Sequence, residues 1–82
     1  IKRTRVLEEV KKLSDISVVL YESPTRVKET LEEISKVFGA ETKAVVAREL
    51  TKEYEEVMRG TVTELIAKTD AVRGEVVILF RA

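Results

Sequence analysis

Ser17-Val18-Val19-Leu20-Tyr21-Glu22-Ser23-Pro24-Thr25-Arg26 is the stretch that decides how the rest of the chain can fold. Its first five residues are β-branched or largely apolar, the composition of a short buried strand. Ser23 is then placed as an N-cap, with Pro24 at the first helical position, where a missing N–H is no loss. Apolar residues continue at helical spacing through Val27, Leu31, Ile34 and Phe38 to a C-terminal Gly39. The unit is strand, turn, helix. Its turn offers backbone N–H groups at the carboxyl end of a strand, where α/β sheets bind ligands. Capping accounts for Ser23 and Pro24 but leaves Glu22 and Arg26 unexplained.

Downstream, residues 43–50 form the next strand. The intervening helix carries the chain back across the sheet, so this strand is expected parallel to the first through a right-handed crossover. Both strands then end on one rim, with Tyr21-Glu22-Ser23 facing Arg48-Glu49-Leu50-Thr51. The segment Ala47-Arg48-Glu49-Leu50-Thr51-Lys52-Glu53-Tyr54-Glu55-Glu56 carries a charge or hydroxyl at eight of its ten positions, which suits the edge of a site. A solvated loop is the plainer alternative. Residues 53–59 alternate weakly and read as an antiparallel hairpin strand at the sheet edge. Thr61-Val62-Thr63-Glu64 fits a capping box opening a short helix with Val62, Leu65 and Ile66 inward. Residues 68–74 follow as a loop. Val76-Val77-Ile78-Leu79-Phe80 is apolar without alternation, the pattern of a central strand covered on both faces.

Upstream, Val6, Leu7, Val10 and Leu13 lie at helical spacing, with Glu8 set to pair with Lys11 and Lys12. Ser14-Asp15 ends this helix. Lys2, Arg3 and Arg5 at its start could meet phosphate or simply be solvated, and like charge there opposes the helix dipole. The expected fold is α/β (α+β): a mixed β-sheet of about four strands with helices packed on it, in βαββαβ order preceded by an N-terminal helix. Ferredoxin-like domains share that order, so strand sequence alone leaves the sheet topology open.

Composition narrows the function. Eighty-two residues make one small domain. With 44% hydrophobic residues, 37% charged and a single Pro, the chain is globular rather than disordered. Fifteen basic and fifteen acidic residues cancel, so any RNA contact needs a local basic patch. The absence of Cys and His removes thiolate and imidazole catalysis and the usual zinc sites; no metal is expected. No apolar run approaches the roughly 20 residues that span a bilayer, and no signal peptide is visible, so a cytoplasmic location without membrane contact is expected. The charged helix under way at Ile1 suggests a fragment of something longer.

Tyr21-Glu22-Ser23-Pro24-Thr25-Arg26, Ala47-Arg48-Glu49-Leu50-Thr51-Lys52 with Glu55-Glu56, Arg59-Gly60-Thr61 and Arg73-Gly74-Glu75 together resemble the C-terminal half of the ribosomal RNA small subunit methyltransferase I family. That family belongs to the tetrapyrrole methylase-like, class III, S-adenosylmethionine (SAM)-dependent methyltransferases. The resemblance covers nearly the whole chain. One departure is Thr25, where the family usually has His.

The resemblance implies a two-domain homodimer that methylates a cytidine ribose 2′-hydroxyl in 16S rRNA of the small ribosomal subunit. SAM would sit between this domain and an N-terminal, glycine-rich SAM-binding domain absent from this chain, which alone would be inactive. Motif matching gives the cofactor contacts to Tyr21, Glu22, Glu49, Leu50 and Thr51, with Gly74 and Glu75 as further candidates. It also implies a five-stranded mixed sheet whose first strand precedes Ile1 and whose final strand lies between the two parallel ones.

Methyl transfer from a sulfonium needs alignment and removal of a hydroxyl proton, and no residue is an obvious general base. Glu22 and Glu49 remain open between base, ligand contact and ion pair with Arg26 or Arg48. Arg26, Arg48, Lys52 and Arg59 are the candidates for rRNA phosphates, although Lys52 and Arg59 could equally pair with Glu55 and Glu56. Two other readings stand beside the rRNA enzyme: a domain of another class III enzyme acting on a tetrapyrrole or a protein, and a non-enzymatic βαββαβ interaction module.

Overall fold

The computed structural model describes residues 3–13, 16–49, 55–69 and 74–81, with the backbone alone at Arg3 and Thr4. Helix α1 (Arg3–Lys11) leads to strand β1 (Ser17–Glu22). A single 3₁₀ turn (Pro24–Arg26) then opens helix α2 (Val27–Phe38). Strands β2 (Lys43–Arg48) and β3 (Glu56–Thr61), helix α3 (Val62–Lys68) and strand β4 (Val76–Arg81) complete the chain. Among the described residues no helix is long and apolar enough to cross a membrane.

The sheet order is β1-β4-β2-β3. β4 pairs antiparallel with both β1 and β2, Ile78 facing Leu20 on one side and Val46 on the other. β1 and β2 therefore share a direction, as the crossover requires, but β4 separates them. Every hydrogen-bonded neighbour pair among the described strands is antiparallel. The final strand thus occupies the place that the family resemblance implies.

All three helices serve one face of this sheet. Register puts Leu20, Ile78, Val46 and Met58 in one cross-strand row on that face. Val27, Leu31 and Ile34 of α2, Val62 and Leu65 of α3 and Leu7 of α1 pack with the buried members of this layer into one core. Phe38 and Phe80 meet edge to face with ring centroids 5.0 Å apart, a geometry contributing about 0.5–1.5 kcal/mol beyond burial.

The opposite face of the sheet has no covering element among the described residues, and here three expectations change. β1 is not a buried strand: among the described strands it borders β4 alone, and Val19 and Tyr21 are 49% and 76% exposed. β4 is central but covered on one face, because Val76, Ile78 and Phe80 point to the helices while Leu79 stays partly open. α1 sets only Leu7 fully in the core, leaving Val6 and Leu13 exposed, and its described ion pair joins Glu9 to Lys12 at 3.4 Å rather than using Glu8.

The turn chemistry is largely as read from the residues. The Thr61 hydroxyl accepts from the Glu64 N–H at 3.2 Å, and Glu64 Oε1 accepts from the Thr61 N–H at 2.8 Å, closing both halves of the capping box. Gly39, at φ 110°, ends α2, its N–H donating to the Ser35 carbonyl. Ser23 holds the N-cap position, but its hydroxyl makes no capping bond and lies 3.2 Å from Thr25 Oγ1. The helix break at Ser14-Asp15, the turn before β3 and most of the loop before Gly74 lie outside the described residues.

Candidate functional site

β1 and β2 both run toward one rim, and β4 starts from it. Three short segments meet there: residues 21–24 leaving β1, Glu49 leaving β2, and residues 74–77 entering β4. They line a cleft of about 640 Å³. Two backbone details build it. Glu49 adopts φ 52° and donates its N–H to the Glu75 carbonyl at 3.0 Å, tying the end of β2 to the start of β4. A non-glycine residue in this left-handed region is uncommon and held only where its surroundings demand it. Gly74, at φ 78°, lies beneath the Glu49 side chain, and a Cβ there would overlap the carboxylate. Only glycine serves both the dihedral and the close approach.

The cleft therefore collects Tyr21, Glu22, Glu49, Gly74 and Glu75, five of the residues that the motifs mark for a cofactor. Leu50, Thr51 and Lys52 fall outside the described residues. Among the described residues, three carboxylates and no cation line the cleft, so this part of its lining suits a positively charged or hydroxyl-rich ligand.

The three carboxylates are not equivalent. Glu22 shares the helix-facing side of β1 with Val18 and Leu20, and its side chain is only 5% exposed. Its Oε2 accepts from the Thr30 hydroxyl at 2.7 Å, and its Oε1 lies 3.2 Å from the Ser23 N–H and 3.8 Å from Arg26 Nε. This carboxylate ties β1 to the first turns of α2. Thr30, itself fully buried, went unread in the sequence, although a hydroxyl on the apolar stripe of a helix announces a buried acceptor. Glu49 and Glu75 belong to the strand-connecting turns and edge the cleft itself.

Of the described RNA-binding candidates, Arg26 and Arg48 sit beside the rim in ion pairs, and only Arg59 lies away from it. Arg26 is 3.8 Å from both Glu22 and Glu29. Arg48 Nε bonds Glu56 Oε1 at 2.8 Å, across the β2–β3 pair. Glu56 thus pairs with Arg48, whereas the sequence had offered Lys52 or Arg59 as its partner. Arg59 lies on the open face of β3, opposite Val45, and lines a second cleft of about 620 Å³ at the far end of the sheet. Glu64 also borders that second cleft. Its carboxyl is held below the usual range chiefly by the Thr61 N–H; desolvation opposes, while the Thr61 side chain and Lys68 add smaller pulls downward.

No protein-family model matches the chain. Individual relatives do. It is 42% identical over 76 residues to the ribosomal RNA small subunit methyltransferase I of Bacillus subtilis (strain 168), covering 90% of this chain and 25% of that protein. The chain is a homologue of one part of this methyltransferase. The proteins of the same name from Hydrogenobaculum sp. (strain Y04AAS1) and Thermotoga maritima are 44% identical over 66 residues and 34% identical over 79 residues. Those matches cover 77% and 94% of this chain but 28% and 35% of the methyltransferases. The chain thus spans about a quarter to a third of the length of these methyltransferase I relatives.

Proposed function

We propose that the chain is the C-terminal domain of a SAM-dependent methyltransferase that modifies a cytidine ribose 2′-hydroxyl in small-subunit rRNA. The observation that carries this reading is the acidic cleft at the strand ends, built from the same segments that carry the family motifs. The methyltransferase I relatives, similar over most of the chain, support it. The same reading makes the whole enzyme a cytoplasmic homodimer with an N-terminal domain closing the cleft from the other side.

The residues present fit half of such a cofactor's surroundings. Bound SAM supplies an electrophilic methyl group on a cationic sulfonium. Around it, the Glu49 and Glu75 carboxylates would accept from ribose hydroxyls or an amino group, and no cation among the described lining residues would repel the sulfonium. Tyr21 and Val77 give apolar surface for a flat ring, and Gly74 lets the backbone come close. Glu22, already bonded to Thr30, holds β1 and α2 in register so that Tyr21 keeps its place.

The test is methylation by the longer protein with isotopically labelled SAM, offered small ribosomal subunits or a porphyrinogen. Label is expected in rRNA, at a ribose whose 3′ linkage has become resistant to alkali. Label only in the porphyrinogen would assign the domain to another class III activity. The isolated 82-residue chain, presenting one lip, should bind SAM too weakly for calorimetry; micromolar binding would contradict the shared cleft.

A further inference from the structure

The open face of the sheet is polarised along its strands. At the rim, the cleft is edged by Glu49 and Glu75, with no cation in its lining among the described residues. At the other end, where β1 and β2 begin and β3 and β4 finish, the second cleft is lined by Lys43, Arg59 and Arg81. Register sets all three cations on the open face: Lys43 faces Thr61, Arg59 faces Val45, and Arg81 faces Ser17. All three are exposed. The acidic group there, Glu64, is committed to the capping box and bonds the Thr61 N–H. Among the described residues the two clefts thus differ in charge across six-residue strands, a span of about 17 Å at roughly 3.4 Å per residue.

We infer that Lys43, Arg59 and Arg81 form an anchoring site for the phosphate backbone of the substrate RNA, distinct from the rim where the methyl group is transferred. The inference rests on the proposed rRNA methyltransferase reading. Three cations with the Ser17 and Thr61 hydroxyls beside them offer the donors that RNA backbones use, and phosphate contacts position a substrate without reading its sequence. The open face running from the second cleft, which Val45 and Leu79 also line, continues apolar through Val19 and Val77, a surface that lets a strand lie along the sheet rather than rise from it. RNA held at the basic end would reach the acidic cleft about 17 Å away, roughly five nucleotides at 3.4 Å of rise per nucleotide. The acidic rim would repel phosphate, so the strand arrives there with its sugar, not its backbone charge, toward the cleft.

The experiment uses the longer protein and transcribed small-subunit rRNA, with affinity measured over a range of salt. Lys43→Ala/Arg59→Ala/Arg81→Ala should weaken RNA binding by about tenfold or more and flatten the slope of log K against log salt by roughly two to three. SAM affinity should be unchanged. The charge-keeping variant Lys43→Arg/Arg59→Lys/Arg81→Lys should retain the wild-type slope. If the triple variant does not fold, Lys43→Ala alone should reduce the slope by about one. Wild-type affinity and slope in the folded alanine variants would overturn the inference, including where the patch binds an acidic protein instead. A wild-type enzyme that does not methylate rRNA would overturn the underlying reading; one that does, with variants binding RNA as it does, would overturn the anchoring site alone.

Discussion

The two faces of the sheet obey different rules. On the helix side, apolar residues find their partners within the chain, and several polar ones do too: Glu22 has Thr30 and Arg26, and Arg48 has Glu56. On the open side, Val19, Tyr21, Val57 and Leu79 remain exposed and the charges separate toward opposite ends. One face holds the fold, and the other is left uncovered by the described residues. The motif residues divide along the same line. Glu22, Arg26 and Arg48 have structural duties on the helix side, whereas Tyr21, Glu49, Gly74, Glu75 and Arg59 belong to the open face or its rims.

This contrast is breakable, beginning with the core. Leu31→Ala, at a fully buried site, should cost about 2–5 kcal/mol by urea unfolding; a small loss would mean that the helix layer is not the seat of stability. Next, Glu22→Ala strands the buried Thr30 hydroxyl and should cost about 1–3 kcal/mol. A neutral result there, with loss of SAM binding, would return Glu22 to the ligand set. A smaller effect separates Glu64 from an ordinary surface carboxylate. Its lowered pKa means that the folded state favours the charged form. Its contribution is thus present above the unfolded value of about 4.3 and lost as pH falls through the lower folded value. The stability difference between wild type and Glu64→Gln should therefore shrink as pH drops below about 4.3, and one that widened would contradict the capping box. Smallest of all, Val19→Ser on the open face should change the stability of the isolated chain by no more than about 0.5 kcal/mol.

Much of the helix side was legible in the residues. Helical spacing named Val27, Leu31 and Ile34, and Thr61-Val62-Thr63-Glu64 announced its capping box, because these signals are local. The open face was not legible, since an apolar run such as Val76-Val77-Ile78-Leu79-Phe80 reads alike whether one or both faces are covered. Lys43 and Arg81 lie 38 positions apart, and nothing in their own neighbourhoods joins them; they meet only once β4 is inserted between β1 and β2. The rim was legible in part. Parallel β1 and β2 brought Tyr21 and Glu49 to one edge, but the support of the Glu49 side chain by Gly74 depends on a backbone dihedral that no pattern encodes.

The central claim is that the rim cleft serves methyl transfer rather than folding. It is tested most directly by rRNA methylation in the longer protein carrying Glu49→Ala, read beside its melting temperature. The account predicts at least a tenfold fall in methylation with a melting shift under about 4 °C. Wild-type methylation, or a loss that merely follows a collapse in stability, would contradict it.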